Sequence, residues 1–168
     1  MDLEQFYDAK NEELRWQLFW EREKIYAYDP KKKGYTIDTP PPTVSGKMHI
    51  GHAFSYAQGD FIARYRRMRY GNVFYPFGTD DNGLPTERLA EGIKRVKSTK
   101  LKRDEFVKLC LSTIKELKPE FVKPWKELGI SCDFENSYST IDEDCIKTSQ
   151  LSSLTYMRKA GSIMRKLR

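Results

Sequence analysis

The chain has 168 residues, with 30 Lys plus Arg against 24 Asp plus Glu, and 39% of its residues are hydrophobic. That length suits one domain with a packed core, and no apolar run approaches the roughly 20 residues of a bilayer-spanning helix, which excludes a helical membrane protein. The acidic start Met1-Asp2-Leu3-Glu4 has neither the basic opening nor the apolar centre of a secretion signal, so the expected location is cytoplasmic. The net charge of +6 favours polyanions such as nucleic acid or nucleotide phosphates. Cys110, Cys132 and Cys145 are odd in number and widely spaced, so reduced thiols are expected, with no disulfide and no metal site.

In chain order, residues 2–24 carry Leu3, Phe6, Tyr7, Leu14, Phe19 and Trp20 loosely on one face, which predicts a leading helix. Asp29 to Gly34 reads as a turn, so residues 1–33 form an N-terminal helix-and-turn unit ahead of a main domain, 34–168. Tyr35 to Thr39 alternates as a short strand, which Pro40-Pro41-Pro42 must end, since three imino acids give a ladder no amide donors. From His49 to Tyr70, Ile50, Ala53, Phe54, Ala57, Phe61, Tyr65 and Met68 recur at helical steps. This helix ends in Arg64, Arg66, Arg67 and Arg69 with Gly71 as cap. The arginines read as a solvated helix end, with contact to an RNA as the alternative. Asn72 to Gly78 is a second strand, and strand, helix, strand over about 45 residues is the arithmetic of a parallel crossover. Helices are predicted over Leu84–Lys97 and around Phe106–Leu117, the latter disturbed by Pro119 and Pro124. Thr140-Ile141-Asp142-Glu143 has the form of a capping box for a last helix that Gly161 stops near Lys159. The fold class is therefore α/β, and Trp16, Trp20 and Trp125 read as core or helix contacts.

Both histidines of the chain lie in one turn, His49-Ile50-Gly51-His52. Three apart on a helix, their side chains share a face, at an N-terminus where unpaired amides favour anions. Gly51 leaves room for a flat ligand or a phosphate to approach. An isolated pair of this kind is better explained by ordinary surface or core histidines, and a zinc site would need further ligands that three scattered cysteines do not supply; the surrounding string shifts the balance.

The string Pro40-Pro41-Pro42-Thr43-Val44-Ser45-Gly46-Lys47-Met48-His49-Ile50-Gly51-His52 resembles the first signature of the class I aminoacyl-tRNA synthetases, whose strand-to-helix turn holds ATP. The resemblance continues through Ala53-Phe54-Ser55-Tyr56, Ile62-Ala63-Arg64-Tyr65 and Gly78-Thr79-Asp80-Asp81-Asn82-Gly83-Leu84-Pro85-Thr86-Glu87. It also takes in Leu128 to Asp133 and Tyr138 to Asp142, so matches spread from about residue 16 to 160. Two long strings in the right order make a strong signal. Within the family, Asp80 to Glu87 looks like the valine-specific branch in its archaeal form.

The resemblance implies the first half of a Rossmann-like, parallel-sheet nucleotide-binding domain with flanking helices. It implies ATP with Mg2+ and valine as ligands, and the first step of valine-tRNA ligation, formation of the aminoacyl-adenylate. His49 and His52 are the implied catalytic residues, donating hydrogen bonds to the ATP phosphates. Thr43, Ser45, Lys47 and Gly51 join them as ATP-binding residues, although Thr43 and Ser45 also suit bonds to the loop backbone and Lys47 a solvated loop. The Pro41 carbonyl and the Asp80 carboxylate are implied to hold the amino-acid ammonium group. Asp80, Asp81 and Asn82 also suit a tight turn, which explains them without any ligand, and the role of Asp81 stays open.

No lysine-rich string of the Lys-Met-Ser-Lys-Ser kind follows residue 52, and the sequence stops about where the family's editing insertion begins. The expectation is an N-terminal piece that works with a C-terminal half or associates with itself, tRNA contacts belonging to other domains. The competing expectation is a non-catalytic ATP- or RNA-binding module that acts through a partner.

Overall fold

The computed structural model describes residues 6–166, with side chains described as far as residue 159. Helix α1 (Ala9–Arg22) is followed by strand β1 (Tyr35–Thr36), helix α2 (Ile50–Tyr70), strands β2 (Val73–Phe74) and β3 (Pro76–Thr79), and helix α3 (Leu84–Lys94). A 3-10 turn (Ser98–Lys100), helix α4 (Arg103–Glu127), strand β4 (Asp133–Ser139) and helix α5 (Glu143–Lys166) complete it. Leu3 of the predicted leading helix lies outside the described residues.

The parallel strands are centred on residues 73–79. β1 pairs with β2, Tyr35 opposite Val73, and β3 pairs with β4, Gly78 opposite Tyr138 and Thr79 opposite Ser139. Pro76 explains the change of partner. The Tyr35 and Ile37 amides donate to the carbonyls of Asn72 and Phe74, at 3.1 and 2.9 Å, and the next rung would need an amide at position 76. The Tyr75 carbonyl instead accepts from the Asp133 amide at 2.7 Å, on the β4 side. The predicted strand, helix, strand crossover is present as β1, α2 and β2, in a mixed α/β architecture with flanking helices.

One expectation about α2 fails. Its predicted apolar face, Ile50, Phe54, Phe61, Tyr65 and Met68, is exposed, while Tyr56, Asp60 and Ala63 are buried. Periodicity finds an apolar stripe but not which neighbour is present to cover it. The buried carboxylate is tolerated because it is fully partnered: Asp60 accepts from the Ser131 amide at 2.7 Å, the Ser131 hydroxyl at 2.5 Å and Arg64 Nε at 2.7 Å. Arg64 also donates to the Gly129 carbonyl at 2.5 Å, and Arg67 donates to the hydroxyl and the carbonyl of Ser131, both at 3.0 Å. Two of the four arginines thus lock α2 onto the segment before β4, where a solvated helix end was expected.

Two further corrections concern helices. Pro119 and Pro124 do not disturb α4, which runs unbroken to Glu127. The carbonyls that lose an amide partner belong to Lys115 and Glu120, both exposed residues, and the buried Trp125 anchors the last turns. Helix α3 stops at Lys94, where Arg95 takes a left-handed conformation (φ 53°), short of the predicted Lys97. Helix α5 passes Gly161 to Lys166. The core gathers Ile37, Tyr56, Ala63, Val73, Tyr75, Phe77, Trp125, Ile130 and Cys132 beneath α2 and α4.

Candidate functional site

The triple proline follows β1, yet the chain stays beside the central strand. Tyr56 of α2 donates its hydroxyl to the Pro40 carbonyl. The Pro42 carbonyl accepts from the Asp80 amide at 2.9 Å, and the Val44 amide donates to the Asp80 carbonyl at 3.1 Å, giving a parallel bridge between Thr43 and Asp80. Prolines donate no amides, but their carbonyls still accept, so pairing resumes past them instead of ending there. Pro41 sits between two engaged carbonyls, and its own carbonyl has no hydrogen-bond donor among the described residues.

At the end of β3 two consecutive carboxylates have different surroundings. Asp81 is buried; its Oδ2 accepts from Thr79 Oγ1 at 3.0 Å and Ser139 Oγ at 2.5 Å and faces Lys118 Nζ at 3.3 Å. Its Oδ1 is buried without a partner. Asp81 is thus a structural anchor joining β3, β4 and α4. Asp80 is half-buried, with Oδ2 accepting from Thr43 Oγ1 at 3.2 Å and Oδ1 from Thr140 Oγ1 at 3.0 Å. Among the described residues it has no cationic partner.

Thr140 overturns the capping-box expectation. Its hydroxyl accepts from the Asp81 amide at 3.1 Å and from Asn82 Nδ2 at 3.2 Å, so it faces the carboxylates, not the first turn of α5. Asp142 precedes that helix, and its carboxylate accepts from the Ser139 amide at 2.7 Å.

The histidine turn opens α2. His49 is the N-cap residue, its Nδ1 accepting from the Gly51 amide at 3.1 Å, and its ring stacks on that of His52 with centroids 4.0 Å apart. An Nδ1 that accepts is unprotonated, which leaves the proton of neutral His49 on Nε2. His52 is half-buried against Trp125, centroids 5.8 Å apart, and its Nδ1 is buried without a partner. Burial, with a smaller contribution from neighbouring His49, pushes the His52 pKa below 6.5, so the ring is neutral at pH 7. A side chain at Gly51 would meet the His49 ring at 3.0 Å, so this glycine makes room for the neighbouring imidazole. Ser45, Gly46 and Lys47 are exposed on the intervening loop.

The structure therefore brings Thr43 to Asp80 and stacks the two histidines; Ser45 reaches the first group only through its amide, which donates to the Thr43 carbonyl at 2.8 Å, and Lys47 touches neither through any hydrogen bond or ion pair among the described residues. Sequence reasoning missed Thr140, Ser139 and Lys118. Ser139 and Thr140 lie within the quoted string Tyr138 to Asp142, but only strand pairing shows what they meet. A separate cavity of about 410 Å³ lies between α1 and the 126–135 segment, lined by Leu14, Trp20, Tyr26, Ile130 and Phe134, and contains none of the expected site residues.

The profile of the family described as tRNA synthetases class I (I, L, M and V) matches residues 15–168. The chain belongs to the class I tRNA synthetases. Among curated relatives, this synthetase chain is 47% identical over 162 residues to the valine–tRNA ligase of Rickettsia prowazekii, covering 95% of the chain and 20% of that protein. It is 43% identical over 166 residues to the valine–tRNA ligase of a Wolbachia from Brugia malayi, covering 98% and 19%. Among solved structures, the LeuRS chain in a ternary complex of Agrobacterium radiobacter agnB2 LeuRS, tRNA and LeuAMS superposes with a TM-score of 0.70 at 26% identity, over 92% of this chain and 18% of that one. The chain thus spans about a fifth of the length of the relatives it matches. Its fold is that of the Rossmann-like synthetase catalytic domain.

Proposed function

We propose that the chain is the N-terminal catalytic segment of a valine–tRNA ligase and that it binds ATP and valine for adenylate formation. Asp80 carries the reading: a carboxylate at the end of the central parallel strand, held by two neutral hydroxyls and paired with no cation among the described residues, while the Pro41 carbonyl, one residue before the Pro42 carbonyl that accepts from the Asp80 amide, has no donor among them. Such a pair suits an ammonium group. The valine–tRNA ligase relatives and the string Asp80 to Glu87 support valine as the amino acid. The string Asp80 to Glu87 favours the archaeal form of that enzyme, whereas the relatives named above are bacterial.

In this reading an oxygen of the valine carboxylate attacks the α-phosphate of ATP, and the bond to pyrophosphate breaks. His49, through Nε2–H, and His52, stacked on it, offer ring N–H donors to the phosphate oxygens as charge grows on them. Lys47, Ser45 and Gly51 stay on the ATP side, while Thr43, bonded to Asp80, acts on the amino-acid side. Magnesium enters bound to the ATP phosphates, and no residue of the chain is assigned to it. The main domain is 34–168 behind an N-terminal unit of 1–33, the location is cytoplasmic, and the remaining length of the relatives supplies the lysine-rich signature and the tRNA contacts.

The test is valine-dependent exchange of pyrophosphate into ATP by the chain, alone and with a separately supplied C-terminal half. Exchange with valine in preference to isoleucine and leucine is expected when the halves are mixed. No exchange in either condition, with ATP or RNA binding retained, refutes catalysis and leaves the binding module.

A further inference from the structure

We propose that Thr140 is a positioning residue for amino-acid recognition: it fixes the Asp80 carboxylate and does so as an obligate hydrogen-bond donor. The inference rests on the reading of Asp80 as the ammonium-binding group and deepens it.

A threonine hydroxyl has one proton and two acceptor lone pairs. At Thr140 both acceptor sites are taken by groups that can only donate, the Asp81 amide at 3.1 Å and Asn82 Nδ2 at 3.2 Å. The single proton is left for Asp80 Oδ1 at 3.0 Å. The backbone beneath is fixed as well, since the Thr140 amide donates to the Thr79 carbonyl at 3.0 Å and Ser139 Oγ is held by buried Asp81. Thr43 clasps the other oxygen, Oδ2. The carboxylate plane is therefore set from both sides by neutral donors, which orient it without cancelling its charge. A carboxylate oxygen accepts about two hydrogen bonds, so each oxygen keeps capacity for a substrate ammonium.

This arrangement separates Thr140 from a residue that merely closes a turn, because removing its hydroxyl should act on valine and not on ATP. The assay is valine-dependent pyrophosphate exchange by the chain mixed with the C-terminal half, for the wild type, Asp80→Ala, Thr140→Val and Thr140→Ser. Thr140→Val is expected to raise the KM for valine about 10-fold, the scale on which one hydrogen bond to a charged group acts, with the KM for ATP within twofold. Thr140→Ser is expected to restore the wild-type value, and Asp80→Ala to abolish exchange. If Thr140→Val loses its far-UV circular dichroism signal, Thr140→Ala carries the same expectation without adding a methyl where the hydroxyl stood.

Inactive Asp80→Ala together with an unchanged valine KM in the Thr140 variants overturns the inference alone. Equal rises in both KM values, or failure of serine to rescue, also overturn it, since they indicate a structural role. Wild-type behaviour of Asp80→Ala, or no exchange by the wild type, overturns the reading of Asp80 and the inference with it.

Discussion

Replacing Asp60 with Ala tests whether the polar lock beneath α2 holds the histidine-bearing helix in place. Asp60 is 6% exposed and takes three donors, two of them from Ser131, which is fully buried. Removing the carboxylate strands the Ser131 amide and takes the acceptor from the Ser131 hydroxyl proton, although that oxygen keeps its bond from Arg67; a buried unsatisfied group costs about 1–3 kcal/mol. The loss on the Arg64 side is smaller, because its side chain is 38% exposed and keeps the Gly129 carbonyl, so screening reduces that part to about 0.5–1 kcal/mol. The sum is about 3 kcal/mol, or roughly 6–12 °C in Tm for a chain of this size. Thermal denaturation followed by far-UV circular dichroism measures it, with Arg15→Ala as control, since Arg15 pairs with Glu12 at the surface and its loss should change Tm little. The double variant Asp60→Ala/Ser131→Ala should cost less than the sum of the single variants. A Tm for Asp60→Ala within about 2 °C of wild type would refute the reasoning.

The His52 imidazole should titrate below 6.5 by NMR and move upward, only in part, in His49→Ala, because burial is the larger cause; titration at or above 6.5 contradicts this. Because the folded pKa is lowered, stability from this ring is complete above pH 6.5 and is lost as pH falls from there through the folded value; His52→Gln should flatten that slope in pH-dependent unfolding. Of the three free cysteines, Cys132 is buried with its thiol pushed up to about 12, so a disulfide reagent should label Cys110 and Cys145 well before it; equal labelling of all three in the folded chain would contradict the packing. Gly78→Ala places a methyl into the Tyr138 ring across the β3–β4 pair and should cost about 1–3 kcal/mol in urea denaturation, with Tyr138→Ala relieving part of it; additive costs would exclude that contact.

The crossover from β1 through α2 to β2 was legible in the sequence because two local signals coincide there: helical spacing over residues 49–70 and turn residues on either side. The histidine pair was legible as a string. Its tautomer was not, since that depends on the Gly51 amide meeting His49 Nδ1. Helix α4 was misread at Pro119 and Pro124 because local propensity counts the lost hydrogen bonds and not the burial of Trp125 that outweighs them. The buried side of α2 was misread for the opposite reason: the apolar stripe is real, but the covered side is the one carrying Asp60, whose cost is met by Ser131 and Arg64 from distant or successive turns. Thr140 was the costliest miss. Ser/Thr-x-x-Glu has the same pattern whether the hydroxyl caps a helix or reaches across to a neighbouring strand, and only the register Thr79 opposite Ser139 decides.

Asp80 and Asp81 are the same residue type one position apart, so neither composition nor propensity separates them. Successive side chains of an extended chain point to opposite sides, and at the end of β3 one carboxylate is directed into the protein and the other toward the strand ends. The inward one, Asp81, meets Lys118 and two hydroxyls, and its charge is spent within the fold. The outward one, Asp80, meets only Thr43 and Thr140. Exchanging these surroundings would remove the site without changing a residue of the turn, because a carboxylate already paired with lysine exerts little net pull on an incoming ammonium group. In the proposed reading, attraction of a cationic substrate group to this strand end therefore depends on where Lys118 reaches, and Lys118 is carried on α4, which continues unbroken past it through both prolines.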